Sequence, residues 1–180
     1  MSKIPIMKTE RLLLRPITHG DLEAMYDYSS SENVARYVTW QAHTSLEDTK
    51  AFMALIFNGY QQGNLMLWGI EYAGTIIGTI DFVTINDTHK YAEIGYVLSE
   101  DFWNKGFTTE ATKKLIDFGF NELDLVRIQA RCFEENIGSQ KVMEKLGMQF
   151  EGLLRKSMLV KGQYQNVKMY AITDDDYRNL

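Results

Sequence analysis

Tyr91-Ala92-Glu93-Ile94-Gly95-Tyr96-Val97-Leu98 is a β-rich run, and the segment on its C-terminal side decides the architecture of the chain. A polar stretch from Ser99 to Phe107 leads into residues 108–121, where Ala111, Leu115, Phe118 and Phe120 recur at roughly helical spacing. Leu125 to Phe133 then reads as a second strand. A strand-helix-strand unit of this kind pairs its two strands in parallel through a right-handed crossover. The loops after both strands therefore open at one carboxyl edge of the sheet, where ligands of α/β proteins bind.

On the N-terminal side, Leu65 to Tyr72 and Thr75 to Ile85 form a hairpin closed by Ala73-Gly74. Arg11 to Arg15, stopped by Pro16, reads as a further strand. Two capping boxes lie between. Thr18-His19-Gly20-Asp21 opens a helix with Leu22, Met25 and Tyr26 on one face, and Ser45-Leu46-Glu47-Asp48 opens a longer one through Phe52, Leu55, Ile56 and Tyr60. On the C-terminal side a helix over about Gly138 to Leu146 stops at Gly147, which suits the left-handed residue after a helix. Phe150 to Val160 and Tyr164 to Ile172 then pair around Lys161-Gly162-Gln163. The fold class is mixed α/β: a single domain over 1–180, with a mostly antiparallel sheet of about seven strands, a central parallel pair and helices on both faces.

Composition narrows the function. With 180 residues, 45% apolar and 24% charged, the chain is an ordinary globular domain. Its net charge of −5 provides no field to draw nucleic acid or an anionic membrane. A lone cysteine, Cys132, excludes an internal disulfide, and His19, His43 and His89 have no metal-ligand spacing, so no metal is expected. No run of about 18 apolar residues occurs, so neither a membrane span nor secretion is expected, and a cytoplasmic home is the simplest.

Chemistry concentrates in two loops. In Phe102-Trp103-Asn104-Lys105-Gly106-Phe107-Thr108-Thr109-Glu110-Ala111, a glycine lets backbone approach a ligand at a helix start, whose free N–H groups attract an anion such as pyrophosphate; Lys105 adds a positive charge. Plain steric need explains such a glycine equally well, and the spacing is neither that of a Rossmann fingerprint nor that of a Walker loop. In Glu135-Asn136-Ile137-Gly138-Ser139, Asn136 is a natural helix cap. It also comes directly after the second parallel strand, at the ligand-binding edge.

Taken together and in order, Thr9 to Pro16, Ala92 to Leu98, Phe102 to Ala111 and Glu135 to Gly147 resemble the Gcn5-related N-acetyltransferases, and within them the bacterial ribosomal-protein acetyltransferase branch (RimJ/RimL-like). The resemblance spans nearly the whole chain. Asn104 stands where the branch generally has glycine, Thr108 where it has alanine or glycine, and Asn166 where it commonly has aspartate. The resemblance implies acetyl-CoA wedged between the two parallel strands where they splay. Backbone of Val97 and Leu98 would hold the pantetheine arm and acetyl carbonyl, and the amides of Lys105, Gly106, Phe107, Thr108 and Thr109 the pyrophosphate. Asn136 would hold pantetheine, Ser139 would sit near the sulfur, and Lys141 could meet a phosphate or be a solvated surface lysine.

Acetyl transfer to an amine needs a neutral nucleophile, a polarised thioester carbonyl and a proton for the departing thiolate. Ser139 is the candidate proton donor, and Glu93 the candidate base unless it is a paired structural carboxylate. Trp40, Trp68 and Tyr96 are candidates for the acceptor side, with core packing as the alternative. The expected function is transfer of acetyl from acetyl-CoA to a primary amine in a ternary complex. A protein N-terminal α-amine of the ribosomal type is the first choice of acceptor; a polyamine or amino sugar is the alternative. A non-catalytic acyl-CoA sensor is the competing class, and a mononucleotide-binding domain the weaker third. A monomer or a homodimer fits equally.

Overall fold

The computed structural model describes residues 4–180. Chain order is β1 (Met7–Lys8), β2 (Leu13–Arg15), α1 (Leu22–Ser29), α2 (Glu32–Ala35), α3 (Leu46–Gln62), β3 (Met66–Tyr72), β4 (Thr75–Asn86), β5 (Tyr91–Leu98), α4 (Phe107–Glu122), β6 (Arg127–Phe133), α5 (Ile137–Lys145), β7 (Gln149–Val160), β8 (Gln163–Thr173) and α6 (Asp174–Arg178). The strands make one sheet in the order β1-β2-β3-β4-β5-β6-β8-β7. Of its seven pairings among the described residues, only β5 with β6 is parallel.

That pair explains the site. It runs in register from Tyr91↔Arg127 to Ile94↔Ala130 and stops there. Beyond it β5 stays on β4 as far as Leu98↔Gly78, and β6 stays on β8 as far as Phe133↔Val167. The two strands therefore diverge from Gly95 and Arg131 onward while each keeps its outer partner.

Strand alternation divides the core between the two faces of the sheet. Trp68, Ile80, Phe82, Ala92, Ile94, Ile128 and Ile172 pack with Leu115 of α4 and Met143 of α5. Leu67 and Ile76 belong to a second cluster with Met25 and Tyr28 of α1, Val34 of α2, and Met53 and Ile56 of α3. Both capping boxes form, at Thr18/Asp21 and Ser45/Asp48. The β3-β4 turn places Ala73 at φ 50° and Gly74 at φ 84°, the left-handed pair that matches the twist of a two-residue hairpin.

Four expectations are corrected. Among the described residues the sheet has eight strands, because two-residue β1 pairs with β2 and is too short to leave a periodic signal. The single-turn α2, capped by Ser31, and the five-residue α6, capped by Thr173, fall below the length at which periodicity reads. Leu55 is 69% exposed, since the inward stripe of α3 runs through Thr49, Met53 and Ile56, which lie about 100° to 160° around the helix from it. In α1, Met25 is joined by Tyr28 and Ser29 in the core, while Tyr26 is only half-buried.

Candidate active site

The divergence of β5 and β6 opens a cleft of about 550 Å³. Gly95 to Leu98 form one wall, Ala130 to Cys132 the other, and the start of α4 and the inner face of α5 close its ends. Among the expected residues Tyr96, Val97, Leu98, Gly106, Phe107, Thr108, Thr109, Asn136, Ser139 and Lys141 line it.

Gly106, at φ 80°, is the residue from which α4 starts, and Glu110 N–H makes the first helical bond to its carbonyl at 3.0 Å. The amides before Glu110 have no intrahelical acceptor, as at any helix start, and the residues that carry them, Gly106 to Thr109, line the cleft. Asn104 also lines the cleft and sits at φ 60°. Asparagine is among the few side chains that tolerate that region, which explains how it replaces a glycine there.

A clamp that the sequence did not reveal holds this loop. Trp103 Nε1 donates to the Leu98 carbonyl at 2.8 Å, tying the loop to the end of β5. Glu110 accepts from Thr9 Oγ1 at 2.6 Å, from Arg11 N–H at 2.8 Å and from Arg11 Nε at 2.6 Å. Arg11 also donates to the Lys105 carbonyl at 3.0 Å and lies 4.3 Å over the Phe107 ring. Burial pushes the Glu110 carboxyl up, but the bonds from Thr9 and Arg11 outweigh it and hold the group below its ordinary range. Lys105 itself turns away. Its ammonium donates to the Asp101 carbonyl at 2.7 Å, and Lys105 does not line the cleft.

At the other wall, Asn136 Oδ1 accepts from Ser139 N–H at 3.1 Å, so Asn136 does cap α5. Ser139 Oγ takes no part in that cap; it lies 2.8 Å from Tyr96 Oη, either oxygen being able to donate. Burial raises the Tyr96 phenol well above its ordinary range, so it keeps its proton. The Cys132 thiol beside them is pushed up to about 11, chiefly by burial, and stays neutral.

Three candidates change role. Glu93 is 7% exposed and stands outside the cleft wall: Arg131 Nε meets its Oε1 at 2.6 Å and Gln129 Nε2 donates to its Oε2 at 3.1 Å. Both carboxylate oxygens are engaged, which is the paired reading. Trp68 is fully buried, edge-on to Phe82 and Phe118, with its indole N–H on the Pro5 carbonyl at 2.7 Å, so it is core and faces no acceptor. Trp40 packs against the α1-α3 core near His43 and does not line the cleft. Asn166 donates to Glu134 Oε2 at 2.8 Å and accepts from Lys156 N–H at 2.9 Å across the β7 bulge. An ionised aspartate could not donate, so the amide suits this bridge.

The sequence missed the outer mouth. Asn33, Val34, Tyr37 and Val38, in and after α2, line the cleft where it emerges on the other face of the sheet. Lys161 at the β7-β8 turn donates to the Ala35 carbonyl at 2.6 Å and straps that mouth. Among the described residues no group of three or more His, Cys, Asp or Glu could hold a metal ion, and no helix is long and apolar enough to cross a membrane.

A splayed parallel pair with a glycine-led helix start at its open end is the arrangement that the resemblance to the N-acetyltransferases implies. A family model described as an acetyltransferase (GNAT) domain matches residues 11–149, and the chain belongs to that family. It is an N-acetyltransferase. The chain is 36% identical over 170 residues to the uncharacterized N-acetyltransferase YoaA of Bacillus subtilis, covering 93% of this chain and 96% of that one. It is 28% identical to the spermidine N(1)-acetyltransferase of Escherichia coli, over 91% of this chain and 87% of that one. Among solved structures, a GNAT-family acetyltransferase from Bacillus anthracis aligns with TM-score 0.83 at 31% identity, over 95% of this chain and 99% of that one. RimL, described as a ribosomal L7/L12 alpha-N-protein acetyltransferase in complex with coenzyme A, aligns with TM-score 0.81 at 26% identity, over 96% and 98%.

Proposed function

We propose that the chain transfers the acetyl group of acetyl-CoA to an N-terminal α-amine of a protein, by direct attack in a ternary complex at the divergence of β5 and β6. The observation that carries this reading is the continuous cleft that joins the α4 helix start, the Ser139-Tyr96 pair and the mouth beside α2. Acetyl-CoA, when bound, supplies an activated acetyl thioester. The backbone amides from Gly106 to Thr109 suit a pyrophosphate, and the inward edge of Val97 and Leu98, freed from β6, suits the amide-rich pantetheine arm. Asn136 spends its side-chain oxygen on the α5 cap and keeps its NH2 for a ligand. Ser139 donates the proton that the departing thiolate needs, and Tyr96 orients it.

The choice of amine rests on proton affinity. At pH 7 about one α-amine in ten is neutral, against about one lysine in 2,500. Both carboxylate oxygens of Glu93 are already engaged, by Arg131 and Gln129. An acceptor that is already partly neutral needs less help. The similarity to RimL supports the same acceptor class, whereas the spermidine relative supports a polyamine as the second reading. Acetylation of a peptide with a free N-terminus, compared with the same peptide blocked there and offering only lysine, tests the proposal. The free peptide should be acetylated faster, and an equal or faster rate on the blocked one overturns it.

A further inference from the structure

The face of the sheet opposite α4 carries a carboxylate with no part in the cofactor cleft or in the Ser139-Tyr96 pair. Asp81, in the middle of β4, pairs in register with Gly95, the first β5 residue beyond the parallel pairing and part of the cleft wall. A Cβ built on Gly95 would meet Asp81 Oδ1 at 3.1 Å and Val83 Cγ2 at 2.9 Å. The carboxyl therefore lies against the glycine backbone in the space a side chain would fill. A bulge between Phe82 and Thr84 shifts the β4-β5 register just beyond it. No hydrogen bond or ion pair engages Asp81 among the described residues, in contrast with Glu93 on the neighbouring strand.

We propose that Asp81 accepts the proton that the attacking amine loses, directly or through one water over Gly95. This deepens the acetyltransferase reading and rests on it. The nitrogen-carbon bond forms as the carbon-sulfur bond breaks, the amine proton passes to the Asp81 carboxylate, and the sulfur takes its proton from Ser139. Solvent then reprotonates Ser139 and removes the proton from Asp81, leaving an amide and free thiol.

The surroundings suit that role. Burial, with the charge of Glu93 second, pushes the Asp81 carboxyl up to about 7, close to an α-amine and to working pH. The charged neighbour is Glu93 on β5, itself paired with Arg131 of β6. On the other side β3 faces Asp81 with Leu67, and α1 contributes the neutral Tyr28 to the same face of the sheet.

The test is the pH profile of kcat/KM for wild type, Asp81→Asn and Glu93→Gln, with two peptide acceptors of different amine pKa, alongside melting curves for each protein. A limb set by the acceptor amine moves when the acceptor is changed; the limb set by Asp81 stays near 7. Asp81→Asn should lose that fixed limb and about 100-fold in kcat while binding acetyl-CoA as wild type does. Its melting temperature should exceed that of wild type by more at pH 8 than at pH 5. Glu93→Gln should keep the limb but move it to lower pH, because the charge that helps to raise Asp81 is gone. An unchanged fixed limb in Asp81→Asn, or a rise in KM alone, overturns the role of Asp81 and leaves the acetyltransferase reading standing. A wild type that acetylates no amine overturns both.

Discussion

Replacing Gly78 with alanine should damage catalysis from the strand behind the cleft. Gly78 on β4 faces Leu98, and a Cβ built there would stand 2.2 Å from the Val97 carbonyl oxygen, 3.0 Å from Leu98 Cα and 3.1 Å from Val97 C. All three are backbone atoms, so no rotamer change relieves the clash. The closest contact must open by about 1 Å to reach ordinary van der Waals distance. The displaced segment is the end of β5 that Trp103 anchors at the Leu98 carbonyl. Overpacking of this kind costs about 1–3 kcal/mol, or roughly 2–12 °C of melting temperature in a domain of this size. A misplacement of about 1 Å at a reacting centre costs on the order of 100-fold in rate. Calorimetric titration with acetyl-CoA and a thiol-release assay read the two effects separately. Gly74→Ala is the control: it strains a turn at φ 84° with no neighbour within 4 Å, so it should lose stability without losing affinity or rate. A folded Gly78→Ala protein with wild-type acetyl-CoA affinity and kcat would refute the placement of the acetyl group along Val97 and Leu98.

The same geometry sets three further outcomes. Ser139→Ala removes a hydroxyl that makes no cap bond, so melting temperature should stay within a few degrees while kcat falls by about 10- to 1,000-fold; an unimpaired kcat removes Ser139 from the chemistry. Gly106→Val forces a β-branched side chain to φ 80°, so the stabilisation by acetyl-CoA seen in melting curves should vanish while the fold persists. Asp81 binds its proton more tightly in the folded chain, at about 7, than in the unfolded one, at 3.8. Its contribution to stability is therefore complete below about pH 4 and lost as pH rises to 7. Asp81→Asn, which escapes that loss, should gain on the order of 1–3 kcal/mol over wild type between pH 5 and pH 8, measured by denaturant titration at both pH values.

The strand-helix-strand unit was legible through its two periods, and the β3-β4 hairpin and the helices before it through the Ala73-Gly74 turn and the capping boxes, all of which agree locally. The cleft was legible through its loops: Gly106, Asn136 and Ser139 do meet at one edge. What stayed hidden depends on distant residues meeting. Arg11 and Glu110 are 99 positions apart, and no local signal announces that one secures the loop before the other. Trp68 and Glu93 stayed open between two roles for one reason. A strand residue's type tells little about its partner, and Pro5 and Arg131 supplied what an isolated reading left open. Asp81 did leave a trace, a charge in the middle of a β-rich run, but only the register with Gly95 shows where it points.

The most direct test of the central claim is a thiol-release measurement with acetyl-CoA and a panel of free-N-terminus peptides, N-terminally blocked peptides, polyamines and aminoglycosides, with product mass confirming where the acetyl group goes. CoA should be released in step with acetylation of an amine, fastest on the free α-amines. Tight binding of acetyl-CoA with no release above the buffer rate on any amine would contradict the claim and leave a cleft that binds the thioester without turning it over.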